Sequence, residues 1–90
     1  ADRRLHVFYT VARLLSFTKA AESLHMTQPA VTFQVRQLEE HFNTRLFDRT
    51  HNKISLTAAG ERVYVHAEKI FGEGTLDALT YPVNSKGTQP

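Results

Sequence analysis

The sequence predicts a mainly α-helical fold, in which three helices and a two-stranded hairpin are followed by a fourth helix. Three observations predict it. Apolar residues recur at helical spacing along most of the chain, the period switches to alternation only around residues 46–56, and hydroxyl side chains at Ser16, Thr27 and Thr57 stand where helices begin. Ninety residues accommodate one compact domain. A chain of that size hides only about 60 to 65% of the surface it exposes when unfolded, so its stability is modest and a partner subunit would add to it.

The first helix runs from Arg3 to Leu15, with Leu5, Phe8, Val11, Ala12 and Leu15 on one side and Arg3, Arg4, Tyr9 and Arg13 on the other. Ser16-Phe17-Thr18 breaks the pattern with capping hydroxyls, and Lys19–Leu24 forms a short second helix whose small residues permit close packing. His25-Met26 is a tight turn, and His25 suits an unusual backbone conformation there. Thr27 caps a third helix that extends from Gln28 to His41 or Phe42. Pro29 fits its first turn, because an N–H missing at that point has no intrahelical partner to lose. Leu46 and Ile54-Ser55-Leu56 then flank a polar hairpin tip, Thr50-His51-Asn52-Lys53. Thr57 caps the fourth helix, in which Val63, Ala67 and Ile70 make an apolar stripe that Tyr64 and Phe71 widen. Gly72 and Gly74 weaken or end it, and the remainder lacks sustained periodicity. Three helices plus a two-stranded wing, followed by a linker helix, make a winged helix-turn-helix.

Composition narrows the function classes. With 41% hydrophobic and 22% charged residues and no apolar run near the roughly eighteen that a membrane span requires, the chain reads as a globular domain without membrane contact. Nothing at its start reads as a signal peptide, and cysteine is absent, so disulfide and thiol chemistry are excluded and a cytoplasmic location is expected. The formal charge of +2 is a weak hint of a polyanionic partner, for which the distribution of cations matters more than their sum.

The segment from Phe17 to Leu38 carries the chemistry. At 100° per residue, Val31, Val35, Leu38 and Phe42 of the third helix share a narrow arc that must pack inward. Opposite lie Pro29, Thr32, Phe33, Arg36 and Gln37, with no acid before Glu39 and Glu40. Taken alone, such a face is also that of a solvated helix. Its side chains nevertheless match the edges of bases: Gln pairs with adenine, Arg forks onto guanine or reaches a phosphate, Thr donates or accepts, and Phe touches a thymine methyl. Arg45, Arg49 and Lys53 recur around the wing, and Lys19 borders the same side; for each, solubility or an ion pair with Glu39, Glu40 or Asp48 is the alternative.

Enzymatic readings find little support. His6, His25, His41, His51 and His66 show no i, i+4 pairing, no cysteine joins them, and no zinc-protease, nucleophile-elbow or phosphate-loop motif is present. Glu39 and Glu40 are adjacent and therefore point about 100° apart on a helix. Two other readings remain: a winged-helix module whose third helix binds protein, which would call for acidic or apolar dominance on that face, and a dimerisation fragment without useful DNA affinity.

The run from Ser16 to Thr32, SFTKAAESLHMTQPAVT, continuing through Gln37-Leu38-Glu39, resembles the N-terminal domain of LysR-type transcriptional regulators. Leu46-Phe47-Asp48-Arg49 and Leu56-Thr57-Ala58-Ala59-Gly60 fall where that family has its wing strand and the start of its linker helix, and the resemblance extends over residues 3–71.

The resemblance implies a regulator that binds double-stranded DNA in a sequence-specific manner, with the recognition helix in the major groove and the wing at the minor groove. It assigns Thr27, Gln28, Pro29, Ala30, Thr32, Phe33 and Arg36 to recognition, and Arg49 and Lys53 to the wing contact. The arginine common at the family's wing tip is replaced here by His51 and Asn52, which leaves Lys53 as the tip cation. Residues 1–56 are expected to form the DNA-binding domain, 57–80 a linker helix weakened at 72–74, and 81–90 a flexible tail. Val63, Tyr64, Ala67, Ile70 and Phe71 are expected to pair with a second copy in a homodimer reading a partly palindromic site; the alternative is that Val63, Ala67 and Ile70 cover this chain's own first helix. No cofactor is expected in this stretch. A small-molecule effector, its binding domain and a possible tetramer belong to the longer protein that the family implies.

Overall fold

The computed structural model of the chain describes residues 2–72. It contains α1 (Arg3–Leu14), α2 (Phe17–Leu24), α3 (Gln28–Phe42), strands β1 (Phe47–Thr50) and β2 (Lys53–Leu56), and α4 (Ala58–Ala67), which continues as a widened π-helical turn over Glu68–Gly72. Each helix starts on a side chain that answers otherwise orphaned backbone N–H groups. Asp2 accepts from Arg4 and Leu5, Ser16 from Lys19, Thr27 from Ala30 and Thr57 from Gly60. The first three helices stop on a left-handed residue, Leu15, His25 and Asn43 respectively. At the ends of α2 and α3 the next N–H folds back, Met26 onto the Ala21 carbonyl (2.9 Å) and Thr44 onto that of Glu39 (3.1 Å), which stops both helices sharply. His25 thus takes the unusual conformation expected of it, with φ 56°.

Relative to the sequence expectation, α2 begins two residues earlier. Ser16 alone caps it, so Phe17 and Thr18 lie on the helix rather than in a break. A second difference concerns α1, which is not two-sided. Val7, Tyr9 and Thr10 are buried along with Leu5, Phe8, Val11 and Ala12, because α2, α3 and α4 all pack around it. Tyr9, assigned from periodicity to the outer side, lies beneath Tyr64 and Phe71 of the α4 segment. Only a helix with one buried face shows a clean stripe, and α1 is the central element.

The wing is an antiparallel hairpin in which Phe47 faces Leu56 and Thr50 faces Lys53. His51 and Asn52 connect the strands with φ 54° and 64°, the mirror-image two-residue turn that matches strand twist. Three contacts fasten the wing to the helices. Glu39 Oε2 accepts the Leu46 N–H at 2.9 Å, the Thr57 N–H donates to the Leu46 carbonyl at 3.0 Å, and the Thr57 hydroxyl donates to the Arg45 carbonyl at 2.7 Å. Gly60 sits so close to the Leu46 carbonyl that a Cβ there would overlap it. The wing is thereby fixed at both ends, to the end of α3 and to the start of α4.

Candidate nucleic-acid interface

Helix α3 divides along its length as its spacing predicts. Val31, Val35 and Leu38 are buried against α1 and α2, while Gln28, Pro29, Phe33 and Arg36 face outward and Ala30, Thr32 and Gln37 are half-buried between them. Phe33 is 58% exposed, a large apolar surface at the centre of a polar face. Thr27 is exposed and spent on its cap. Phe42 departs from the expectation: it is 45% exposed, because it lies at the last turn, beyond the end of the core that α1 and α2 cover. The helix-turn-helix geometry also brings Thr18 of α2 to Gln28, its hydroxyl donating to Oε1 at 3.3 Å.

Across a concavity from α3 stands the wing. Strand alternation puts Phe47 and Arg49 on the helix-facing side and Asp48 and Thr50 on the other. The Arg49 guanidinium lies over the Phe17 ring, 4.6 Å from its centroid. Gln28, Thr32, Arg36, Arg45 and Arg49 line the concavity on the α3 side, and Thr18, Arg49 and Lys53 line the adjoining one toward the wing tip. Lys19, assigned to the same side from sequence, lines neither. Among the described residues, Arg36, Arg49 and Lys53 form no ion pair. The acid that lines this basic cleft is already engaged: the Glu39 carboxylate holds the Leu46 and Phe47 N–H groups and stands 3.8 Å from Arg45 Nε. The arrangement offers guanidinium, ammonium, amide and hydroxyl groups to a strip of negative charge and base edges.

Sequence reasoning missed Phe17, Thr18 and Glu39 as parts of this site. Ser16 as the sole cap would have placed the first two on α2. Nothing in the local sequence marks Glu39, whose partners lie seven and eight residues away across a turn.

The residues expected to face a second copy divide. Ala67 is fully buried in this chain's own core, which corrects its assignment to an interface; a small side chain there lets α4 lie close to α1. Tyr64 stacks on Tyr9 at 5.5 Å and 17°, and Phe71 packs on Tyr9 at 5.6 Å and on His6 at 4.9 Å, so these two rings are largely spent within the chain. Val63 is half-buried, whereas Ile70 and Val65 remain exposed. The Tyr9 hydroxyl donates to Glu68 Oε1 at 3.0 Å; burial, reinforced by the neighbouring carboxylate, pushes its pKa well above the usual phenol range. Gly72 is where the described backbone stops, still helical, and Gly74 and the rest of the expected linker and tail lie outside the described residues. Among the described residues no helix is long and apolar enough to cross a membrane.

Comparison with known proteins agrees with this geometry. Residues 3–61 match the bacterial regulatory helix-turn-helix family of the lysR type. The chain is 51% identical over 71 residues to the transcriptional regulator CfxR of Cupriavidus necator, and 48% identical over 68 residues to the RuBisCO operon transcriptional regulator of Allochromatium vinosum. These alignments cover 79% and 76% of the chain but only 22% of each relative's length. Among solved structures, the BenM DNA-binding domain with catB site 1 DNA superposes with a TM-score of 0.75 at 32% identity, over 88% of this chain and 86% of that one. A LysR-family regulator from Eggerthella lenta superposes at 0.70 with 38% identity, over 73% and 94%. With the family's match spanning α1 through the first turn of α4, the chain belongs to the LysR family of bacterial helix-turn-helix regulatory proteins.

Proposed function

We propose that this chain binds double-stranded DNA in a sequence-specific manner as the reading head of a transcription regulator, with α3 in the major groove and the wing at the adjacent minor groove. One observation carries the reading. The inward side of α3 is wholly apolar, while Gln28, Phe33 and Arg36 face out and half-buried Thr32 lines the cleft beside a wing whose Arg49 and Lys53 have no acidic partner among the described residues. That is a division into base readers on the helix and phosphate anchors around it. The BenM complex supports it by kinship.

Two copies related by a two-fold axis present two such helices to successive major grooves of a partly palindromic site. Residues 57–80 are the linker between this head and the rest of the longer protein, and α4 with the turn that follows it supplies the contact between copies. With Ala67 in the core, that contact is carried by Val65 and Ile70, edged by Val63, Tyr64 and Phe71. The role is one of binding rather than catalysis, as in the relatives, which are transcriptional regulators.

The test is an electrophoretic shift with a duplex at rising salt. About four cations per subunit on phosphates give a dimer a slope of log K against log salt of roughly −7. A slope near zero, or no shift at low salt, removes the reading.

A further inference from the structure

We infer that Phe17 is a positioning residue for Arg49, holding its guanidinium at the floor of the cleft between α3 and the wing, where it grips a phosphate of the DNA strand. The inference rests on the DNA-binding reading and assigns a role to a side chain that is neither on the recognition helix nor at the wing.

Arg49 follows Phe47 by two residues on the helix-facing side of β1. Phe47 is buried and tilted against Phe8, ring centroids 5.2 Å apart. Phe17 meets Phe47 edge-on at 5.6 Å and 67°, and the Arg49 guanidinium covers the Phe17 ring at 4.6 Å. A chain of rings thus runs from the centre of the fold to the surface and ends in a cation. A guanidinium held over a ring is anchored by the attraction between its charge and the ring's electron-rich face, and the N–H donors turned away from the ring stay available for capture of phosphate.

Charge and placement agree. The stack gives Arg49 an attachment that leaves its charge uncompensated: Asp48 lies on the opposite face of the strand, and the Glu39 carboxylate is taken by two backbone N–H groups and Arg45. Arg49 also borders both concavities, beside Thr32 and Arg36 on one side and Thr18 and Lys53 on the other. With α3 in one groove and the wing in the next, the sugar-phosphate strand between those grooves crosses that boundary. Holding the side chain there beforehand reduces the rotamer entropy lost when DNA arrives.

The experiment measures affinity for a random-sequence 30-base-pair duplex across salt for wild type, Phe17→Leu, Phe17→Tyr, Arg49→Gln and the Phe17→Leu/Arg49→Gln double variant, with the thermal midpoint of each. Phe17→Leu should weaken binding about two- to fivefold per subunit and Phe17→Tyr hardly at all, because the ring is kept. Arg49→Gln should lose roughly tenfold and flatten the salt slope by about 0.9 per subunit. In the double variant Phe17→Leu should add nothing. Additive losses, or a Phe17→Leu variant that binds like wild type, overturn the proposal. A readout without DNA accompanies it: the Arg49 Hε resonance of the wild-type chain should show ring-current displacement, contacts to Phe17 and slower motion than that of Arg36. An Arg49 as mobile as Arg36 overturns the proposal even if every Phe17 variant unfolds. Failure of the wild type to bind any duplex instead overturns the DNA reading, with the resonance still reporting on the stack.

Discussion

Replacing Gly60 with alanine tests how the wing is fixed. A Cβ at this position overlaps the Leu46 carbonyl oxygen and comes within 3.0 Å of both the Leu46 carbonyl carbon and Leu56 Cδ2. The leucine methyl can swing away. The carbonyl cannot do so freely, because it accepts the Thr57 N–H at 3.0 Å while the Leu46 N–H is held by Glu39 at 2.9 Å. Overpacking against backbone costs about 1–3 kcal/mol, and loosening the Thr57 bond adds about 1 kcal/mol. Alanine returns about 1 kcal/mol through its better helix propensity. The net loss is therefore about 2 kcal/mol, which in a domain of this size lowers the thermal midpoint by about 8–16 °C. Circular dichroism melts of the two proteins measure it. A Gly60→Ala chain that melts within about 2 °C of wild type, or above it, would refute the close approach of α4 to the wing root.

Thr57→Ala removes both the cap on Gly60 and the hydroxyl's bond to the Arg45 carbonyl, and should cost about 1–2 kcal/mol in chemical denaturation, whereas Thr57→Ser should restore most of it. Because the folded pKa of Tyr9 is raised, the folded chain keeps a phenolic proton that the unfolded chain gives up. Its contribution to stability is present below the ordinary tyrosine pKa of about 10 and is lost as pH climbs above it; an ultraviolet titration should show one late phenol that Tyr9→Phe abolishes. Gln28→Ala and Arg36→Ala should each cost about 1–3 kcal/mol on a site selected from a random DNA pool and little on unselected duplex, and equal losses on both would make the residue a phosphate contact.

Most of the fold was legible because local signals agree with tertiary ones. Thr27 before Gln28-Pro29, the i, i+4, i+7 recurrence of Val31, Val35 and Leu38, and the polar tip at His51-Asn52 each specify geometry from a few neighbouring residues. What escaped depended on partners distant in sequence. Tyr9 reads as an outer residue until α4 lies across it, and Ala67 reads as half of an interface seam until α1 proves to be what it faces. Phe42 obeys the periodicity of α3 but extends past the core that would bury it.

The candidate site shows the same division. The outward residues of α3 were legible from periodicity and chemistry together. The seat of Arg49 over Phe17 and the bracket of Glu39 on the wing root were not: the first joins α2 to β1, far apart in sequence, and the second depends on how the turn after α3 folds back on Glu39. Thr18 belongs with these: its bond to Gln28 spans ten residues and exists because α2 and α3 cross at that point.

The most direct measurement is a titration of the isotope-labelled chain with duplex DNA, followed by amide and side-chain NMR. The amides of Thr18, Gln28, Thr32, Arg36 and Lys53 and the Arg49 guanidinium should shift together, while those of Val65 on α4 and Ile70 in the turn that follows it stay independent of DNA concentration once the copies have paired. Shifts centred on α4, with α3 unmoved at saturating duplex, would contradict a recognition role for the outward face of α3.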